Sequence, residues 1–218
     1  MVESVQPDAY CASPGEVYRR AARRLWYDTL SAPPDVLAEA VAVASRMDPT
    51  PGRVQAAGSF EDVSVSAVLR AALPATASGS LRPRLEWYTC RGAHFHNDAH
   101  YPDVLFGVWY LAGPPIDLVF ARLAIRLRMH VGDAAVFDPF EPHAVLAPGS
   151  ERYRRDDYVS APVSVFLGFE LALDEPVRIT FMVAPPGKPE SNLPVLSSAA
   201  AVHPETGTLY AAGHGTPL

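Results

Sequence analysis

Apolar residues recur at helical spacing in the first third of the chain and at strand spacing through its middle. Val17, Tyr18, Ala21, Ala22, Leu25 and Trp26 fall in one stripe. They follow Ser13-Pro14-Gly15-Glu16, which has the form of a capping box with proline at the first helical position. The spacing therefore predicts a helix, with Arg19, Arg20, Arg23 and Arg24 on its solvated faces. Val36, Leu37, Ala40, Val41 and Ala44 predict a second helix from Asp35 to Met47, stopped by Asp48-Pro49-Thr50-Pro51-Gly52. A third, short helix is expected within 60–73, followed by a flexible connector over 75–80.

Beyond Leu81 the period changes to two. Leu85 to Cys90, the apolar run Val104 to Leu111, and Ile116 to Phe120 are of strand length. Leu123, Ile125, Leu127, Met129 and Val131 alternate with Arg122, Ala124, Arg126, Arg128 and His130. Ala134 to Phe137, Pro162 to Leu173 and Val177 to Val183 complete the expected strands. Short strands joined by turns predict a mainly β protein with N-terminal helices: a double-stranded β-helix, or jelly-roll barrel of cupin-like shape, with the helices packed outside. One domain is expected, divided into an N-terminal helical region (1–80), the barrel (81–184) and an irregular C-terminal tail (185–218).

With 49% hydrophobic residues over 218 positions, the chain can bury a core without staples. A formal charge of -6 argues against a nucleic-acid partner. No apolar window approaches the length of a membrane span, and the first residues lack the form of a signal peptide. Cys11 and Cys90 do not make a disulfide framework and read as free thiols, so a soluble, cytoplasmic protein is expected. No glycine-rich phosphate loop or Gly-x-Ser-x-Gly elbow is present. The 22 prolines gather at junctions between elements.

The candidate chemistry lies in Arg91-Gly92-Ala93-His94-Phe95-His96-Asn97-Asp98 and, far downstream, in the run from Gly132 to His143. On an extended segment alternate residues share a face, so His94, His96, Asp98 and His100 point one way unless the chain turns after His96. Intervening strands bring His143 back beside them. Two imidazoles and one carboxylate on one side of a cation form the 2-His-1-carboxylate facial triad, which leaves positions open and suits Fe(II). His96, Asp98 and His143 are therefore the expected metal ligands and catalytic residues.

From about Trp87 to Leu173 the chain resembles the Fe(II)- and 2-oxoglutarate-dependent dioxygenase superfamily. His96 and Asp98 match the family's His-x-Asp, His143 its distal His, and Val108-Trp109-Tyr110-Leu111 the apolar strand between them. The resemblance implies Fe(II) as cofactor, 2-oxoglutarate and O2 as cosubstrates, and hydroxylation of a small or medium organic molecule. It also implies a basic residue about ten positions after the distal His to pair with the far carboxylate of 2-oxoglutarate. Arg154 is the first choice and Arg152 the second, with Arg126 or Arg128 as substitutes; Tyr88 and Trp109 are expected to shape the pocket.

Two other readings stand beside this one. His94-Phe95-His96 with His100 and Gly107 resembles the first cupin motif, with His143 as fourth ligand; it implies a metal-dependent isomerase or an oxygenase working without 2-oxoglutarate. Alternatively the barrel holds no metal and serves for binding, with Asp138, Glu141 and His143 as loop residues at its mouth.

Overall fold

The computed structural model describes residues 22–98, 100–183 and 201–210, with short strand segments at 2–4, 10–12, 18–20 and 195–196. In chain order the elements are β1 (Val2–Ser4), β2 (Tyr10–Ala12), β3 (Tyr18–Arg20), β4 (Arg24–Thr29), α1 (Pro34–Arg46), β5 (Gln55–Glu61) and α2 (Val63–Ala72). There follow β6 (Arg84–Cys90), β7 (Ala93–His96), β8 (Val104–Ala112), β9 (Ile116–Phe120), β10 (Ile125–Met129), β11 (Asp133–Phe137), β12 (His143–Leu146) and β13 (Ser164–Ala172). Last come α3 (Glu175–Phe181), β14 (Val195–Leu196), β15 (Ala201–Val202) and β16 (Leu209–Tyr210).

Two antiparallel sheets face one another. One has the order β1-β4-β11-β8-β13-β6-β5 and the other β10-β9-β12-β7. From β6 to β13 the chain passes back and forth between them, so that β6, β8, β11 and β13 fall in the first and β7, β9, β10 and β12 in the second. This is the strand order of a double-stranded β-helix, with α1 laid across β8, β13 and β6 on the outside.

Period-two burial explains why both faces of the larger sheet are apolar. Trp87, Trp109, Leu167 and Phe169 point outward and meet Val36, Ala40 and Val43 of α1 and Val65 and Leu69 of α2. Tyr110, Ala135 and Phe166 point into the barrel, where they meet Leu118, Phe120 and Val145 of the smaller sheet. Asp62 caps α2 by accepting from the amides of Ser64 and Val65 at 2.8 and 3.0 Å.

Several expectations are corrected. Residues 13–17 and 21, where the first helix was expected to begin, lie outside the described residues. Its described part is strand, in β3 and β4. Leu25 lies in the barrel cluster and Trp26 in the helix-facing one, so adjacent apolar residues serve opposite faces of a doubly covered strand. That pattern resembles a helical stripe over a short window. Val177 to Val183, expected as strand, lies mostly in α3: the Asp174 carboxylate accepts from the Val177 amide at 3.1 Å, and Met182 ends the helix at a φ of 55°. β5 was not foreseen, because its seven residues are largely exposed and carry no apolar alternation.

Residues 184–194, 197–200 and 211–218 of the expected tail lie outside the described residues, but β15 and β16 pair antiparallel. Their hairpin docks on the smaller sheet: the Phe95 amide donates to the Pro204 carbonyl and the Tyr153 amide to the Glu205 carbonyl, each at 2.9 Å. Among the described residues no helix is long and apolar enough to cross a membrane.

Candidate metal centre

β7 and β12 are hydrogen-bonded neighbours with His96 opposite His143, so the two segments of the motif meet across one strand pair. β7 ends at His96, and the chain turns before Asp98. The turn is fixed from the other segment: the Asp98 amide donates to the Pro139 carbonyl at 2.7 Å. Asp98 Oδ2 then lies 3.9 Å from His96 Nε2 and 3.7 Å from His143 Nε2, and one donor atom from each residue lies within 4.8 Å of the others. A single cation can bridge that spacing.

The imidazoles are already oriented for such a role. His96 Nδ1 is 2.8 Å from the His94 carbonyl, and His143 Nδ1 is 2.8 Å from the Glu141 carbonyl. A carbonyl only accepts, so both Nδ1 atoms carry a proton, and both Nε2 atoms face Asp98. Burial, and then His96 alongside, push His143 down to about 4, which keeps it neutral at ordinary pH despite the opposing pull of Asp98. Two imidazoles and one carboxylate fit a divalent first-row cation.

The loop before His143 is braced. Asp138 Oδ1 accepts from the Phe140 amide at 3.0 Å and Oδ2 from the Ala22 amide at 2.7 Å. Glu141 is buried with Arg122 clasping it, Arg122 Nε donating to Oε2 at 3.1 Å. Burial pushes the Glu141 carboxyl up while the guanidinium pulls it down. Asp138 and Glu141 thus support the loop and stand outside the donor cluster.

A cavity of about 340 Å³ opens beside the three donors and is lined by them together with Tyr88, Tyr101, Phe106, Leu118, Phe137 and Phe166. His100, Val54 and Ala56 also reach it. The wall is aromatic and aliphatic, and none of the described residues lining it is an arginine or lysine. Gly168 faces Tyr88 so closely that a Cβ there would come within 2.4 Å of the ring, so the glycine lets the tyrosine lie flat on the sheet.

Not all the expected site residues converge. Tyr88 lines the cavity, but Trp109 is fully buried on the opposite face of β8, where its indole donates to the Gly132 carbonyl at 3.0 Å. Arg152 and Arg154 are exposed and do not line the cavity. Arg126 and Arg128 alternate with the barrel-facing residues of β10 and clasp the buried Asp117 outside the barrel. The first two are held away by the loop before the turn at Arg155–Tyr158, and the others by strand alternation. The far carboxylate of 2-oxoglutarate therefore finds no arginine or lysine among the described residues of the cavity wall, and these do not fit the expected salt bridge. His94 and His100 stand outside the donor cluster, and His94 stacks beside His96 with 5.8 Å between ring centroids, so the four-ligand cupin set is not assembled.

Residues missed in the sequence include Tyr101, Phe106, Phe137, Phe166 and Arg122. Strand alternation carried a signal for Phe106 and Phe166, which lie on the inner faces of β8 and β13 and both line the cavity. Nothing local marks Arg122 as the partner of Glu141, nineteen positions away.

No protein-family model matches the chain, and no curated protein matches it. Among solved structures it is similar to a prolyl-4-hydroxylase from Pseudomonas putida, with a TM-score of 0.46 and 15% identity over 69% of this chain and 92% of that chain. So distant a likeness assigns no activity. Strand order and donor geometry define the class: a double-stranded β-helix protein with a candidate two-histidine, one-carboxylate centre.

Proposed function

We propose that the protein is a non-haem Fe(II) oxygenase acting on a small, largely apolar organic molecule, with His96, Asp98 and His143 as its metal ligands. One observation carries this reading: three donor atoms from two strand segments lie within 4.8 Å of one another, with both imidazoles fixed to present Nε2. Fe(II), when bound, supplies activation of O2 for insertion into a C–H bond.

The protein's own residues supply the setting. Phe106, Phe137, Leu118 and Phe166 bind an apolar body by burial and keep water from the reacting face. The Tyr88 hydroxyl donates to Glu86 at 2.9 Å, which fixes its ring as one wall of the cavity. Asp98 keeps part of its surface open, so small molecules can approach beside it.

2-Oxoglutarate is the cosubstrate implied by the resemblance, but the absence of an arginine or lysine among the described lining residues favours a second reading, an oxygenase working without it. Anaerobic titration tests both. Fe(II) is expected to bind one per chain, and wild-type protein that takes up no iron would end the oxygenase reading. Addition of 2-oxoglutarate then separates the two: a visible charge-transfer absorption supports the dioxygenase form, and iron uptake without that band supports the other.

A further inference from the structure

A second cavity of about 360 Å³ lies at the outer edge of β7, lined by Thr50, Arg53, His94, Tyr153 and Arg155 together with the Pro51-Gly52 turn. Its chemistry is the reverse of the metal cavity's. Two guanidiniums line it, none of its described lining residues is acidic, and neither Arg53 nor Arg155 forms an ion pair with a described carboxylate.

Two buried polar atoms in the same wall have no hydrogen-bond partner: the Tyr153 hydroxyl and His94 Nδ1. Tyr153 is only 7% exposed. Its ring is locked by stacking on Tyr158, with centroids 5.0 Å apart and planes 7° from parallel. The hydroxyl lies against Gly52, where a Cβ would come within 2.4 Å of it. A buried hydroxyl left unpaired has lost its water without gaining a partner, which is unfavourable. With two guanidiniums that no described carboxylate pairs lining the same cavity, such a donor suits an oxyanion.

The two cavities adjoin along both strand segments that build them. Arg53 lines one and Val54 the other; His94 lines one and His96, the ring beside it, the other. We propose that the outer cavity is an anion-binding subsite that holds the carboxylate or phosphate end of a substrate whose apolar body lies in the metal cavity. The role as a substrate subsite rests on the oxygenase reading, whereas anion binding itself does not.

The test therefore uses metal-free protein and two probes, inorganic phosphate and succinate, titrated by calorimetry. Wild type binds at least one of them, and the Arg53→Gln/Arg155→Gln double variant binds it at least tenfold more weakly. Both arginines are exposed, so the variant is expected to fold as wild type does. Tyr153→Phe weakens the same probe severalfold without moving Fe(II) uptake. Preference for succinate assigns a carboxylate and preference for phosphate a phosphoryl group. Failure of both probes to bind wild type, or equal affinity in wild type and the double variant, overturns the proposal. Iron uptake measured on the same preparations reports separately on the metal centre.

Discussion

The amide of Asp98 donates to the carbonyl of Pro139 at 2.7 Å, and this backbone bond ties the candidate carboxylate donor to the loop that delivers His143. The spacing of the three donors thus depends on that loop keeping its shape.

Asp138 holds the loop by accepting from Phe140 and Ala22 amides. Asp138→Ala is expected to weaken Fe(II) affinity by roughly 10–100-fold, the range for groups that orient ligands. It should also lower stability by about 1–3 kcal/mol through the unpaired amides. Iron titration together with urea unfolding checks both, and unchanged affinity would mean that the loop keeps its shape without this brace.

Substitution of any one of His96, Asp98 and His143 by alanine is expected to reduce iron uptake below one per chain in elemental analysis after dialysis. His94→Ala should keep it, since His94 stands outside the donor cluster. The opposite pattern would restore the four-histidine reading.

Arg122→Ala leaves the Glu141 carboxylate buried without its cation. A loss of about 3–5 kcal/mol is expected by chemical denaturation. The double variant Arg122→Ala/Glu141→Gln should recover part of it, because the uncompensated charge is gone. Equal instability of single and double variants would place the effect in lost packing.

Burial alone would raise the Asp117 carboxyl, but hydrogen bonds from Arg128, the Gly149 amide and Arg126 outweigh it and hold it below the usual carboxylate value. A depressed folded-state value stabilises above the unfolded-state value and is lost as pH falls through the folded one. Asp117→Asn is therefore expected to lower the urea midpoint at pH 7, with the gap from wild type closing as the pH falls below the usual carboxylate range. A gap that stays constant with pH would show that charge is not what Asp117 contributes.

Gly168→Ala forces the Tyr88 ring away from the sheet, because the added Cβ would approach within 2.4 Å. The expected cost is about 1–3 kcal/mol, with weaker binding of bulky apolar ligands. Gly168→Ala/Tyr88→Leu should restore that binding, which equilibrium titration with such a ligand would report.

The barrel was legible in the sequence because its strands carry long apolar runs between glycine and proline turns. β9 has the bounds that its pattern predicts, Ile116 to Phe120. The candidate donors were legible for a related reason: His96 and His143 sit at ends of strands, β7 and β12, that pair with one another. What failed depended on faces and partners. Leu25 and Trp26 mimic a helical stripe because their strand is covered on both sides. Asp174, Glu175 and Pro176 carried a helix-start signal that the apolar run after them masked. The arginines after His143 lie near the expected spacing, yet spacing along a loop does not say which side of the barrel it follows. Arg53 and Arg155 come together only through the fold.

The docked segment at 201–210 has a consequence for assembly. β7 is the last strand of its sheet, and an uncovered last strand is a template on which another chain can add its own. The Pro204 carbonyl occupies the Phe95 amide, and Gly207 lies so close to the Phe95 ring that a Cβ would meet it at 2.6 Å. The border that carries His94 and His96 is thereby shielded from recruiting a foreign strand.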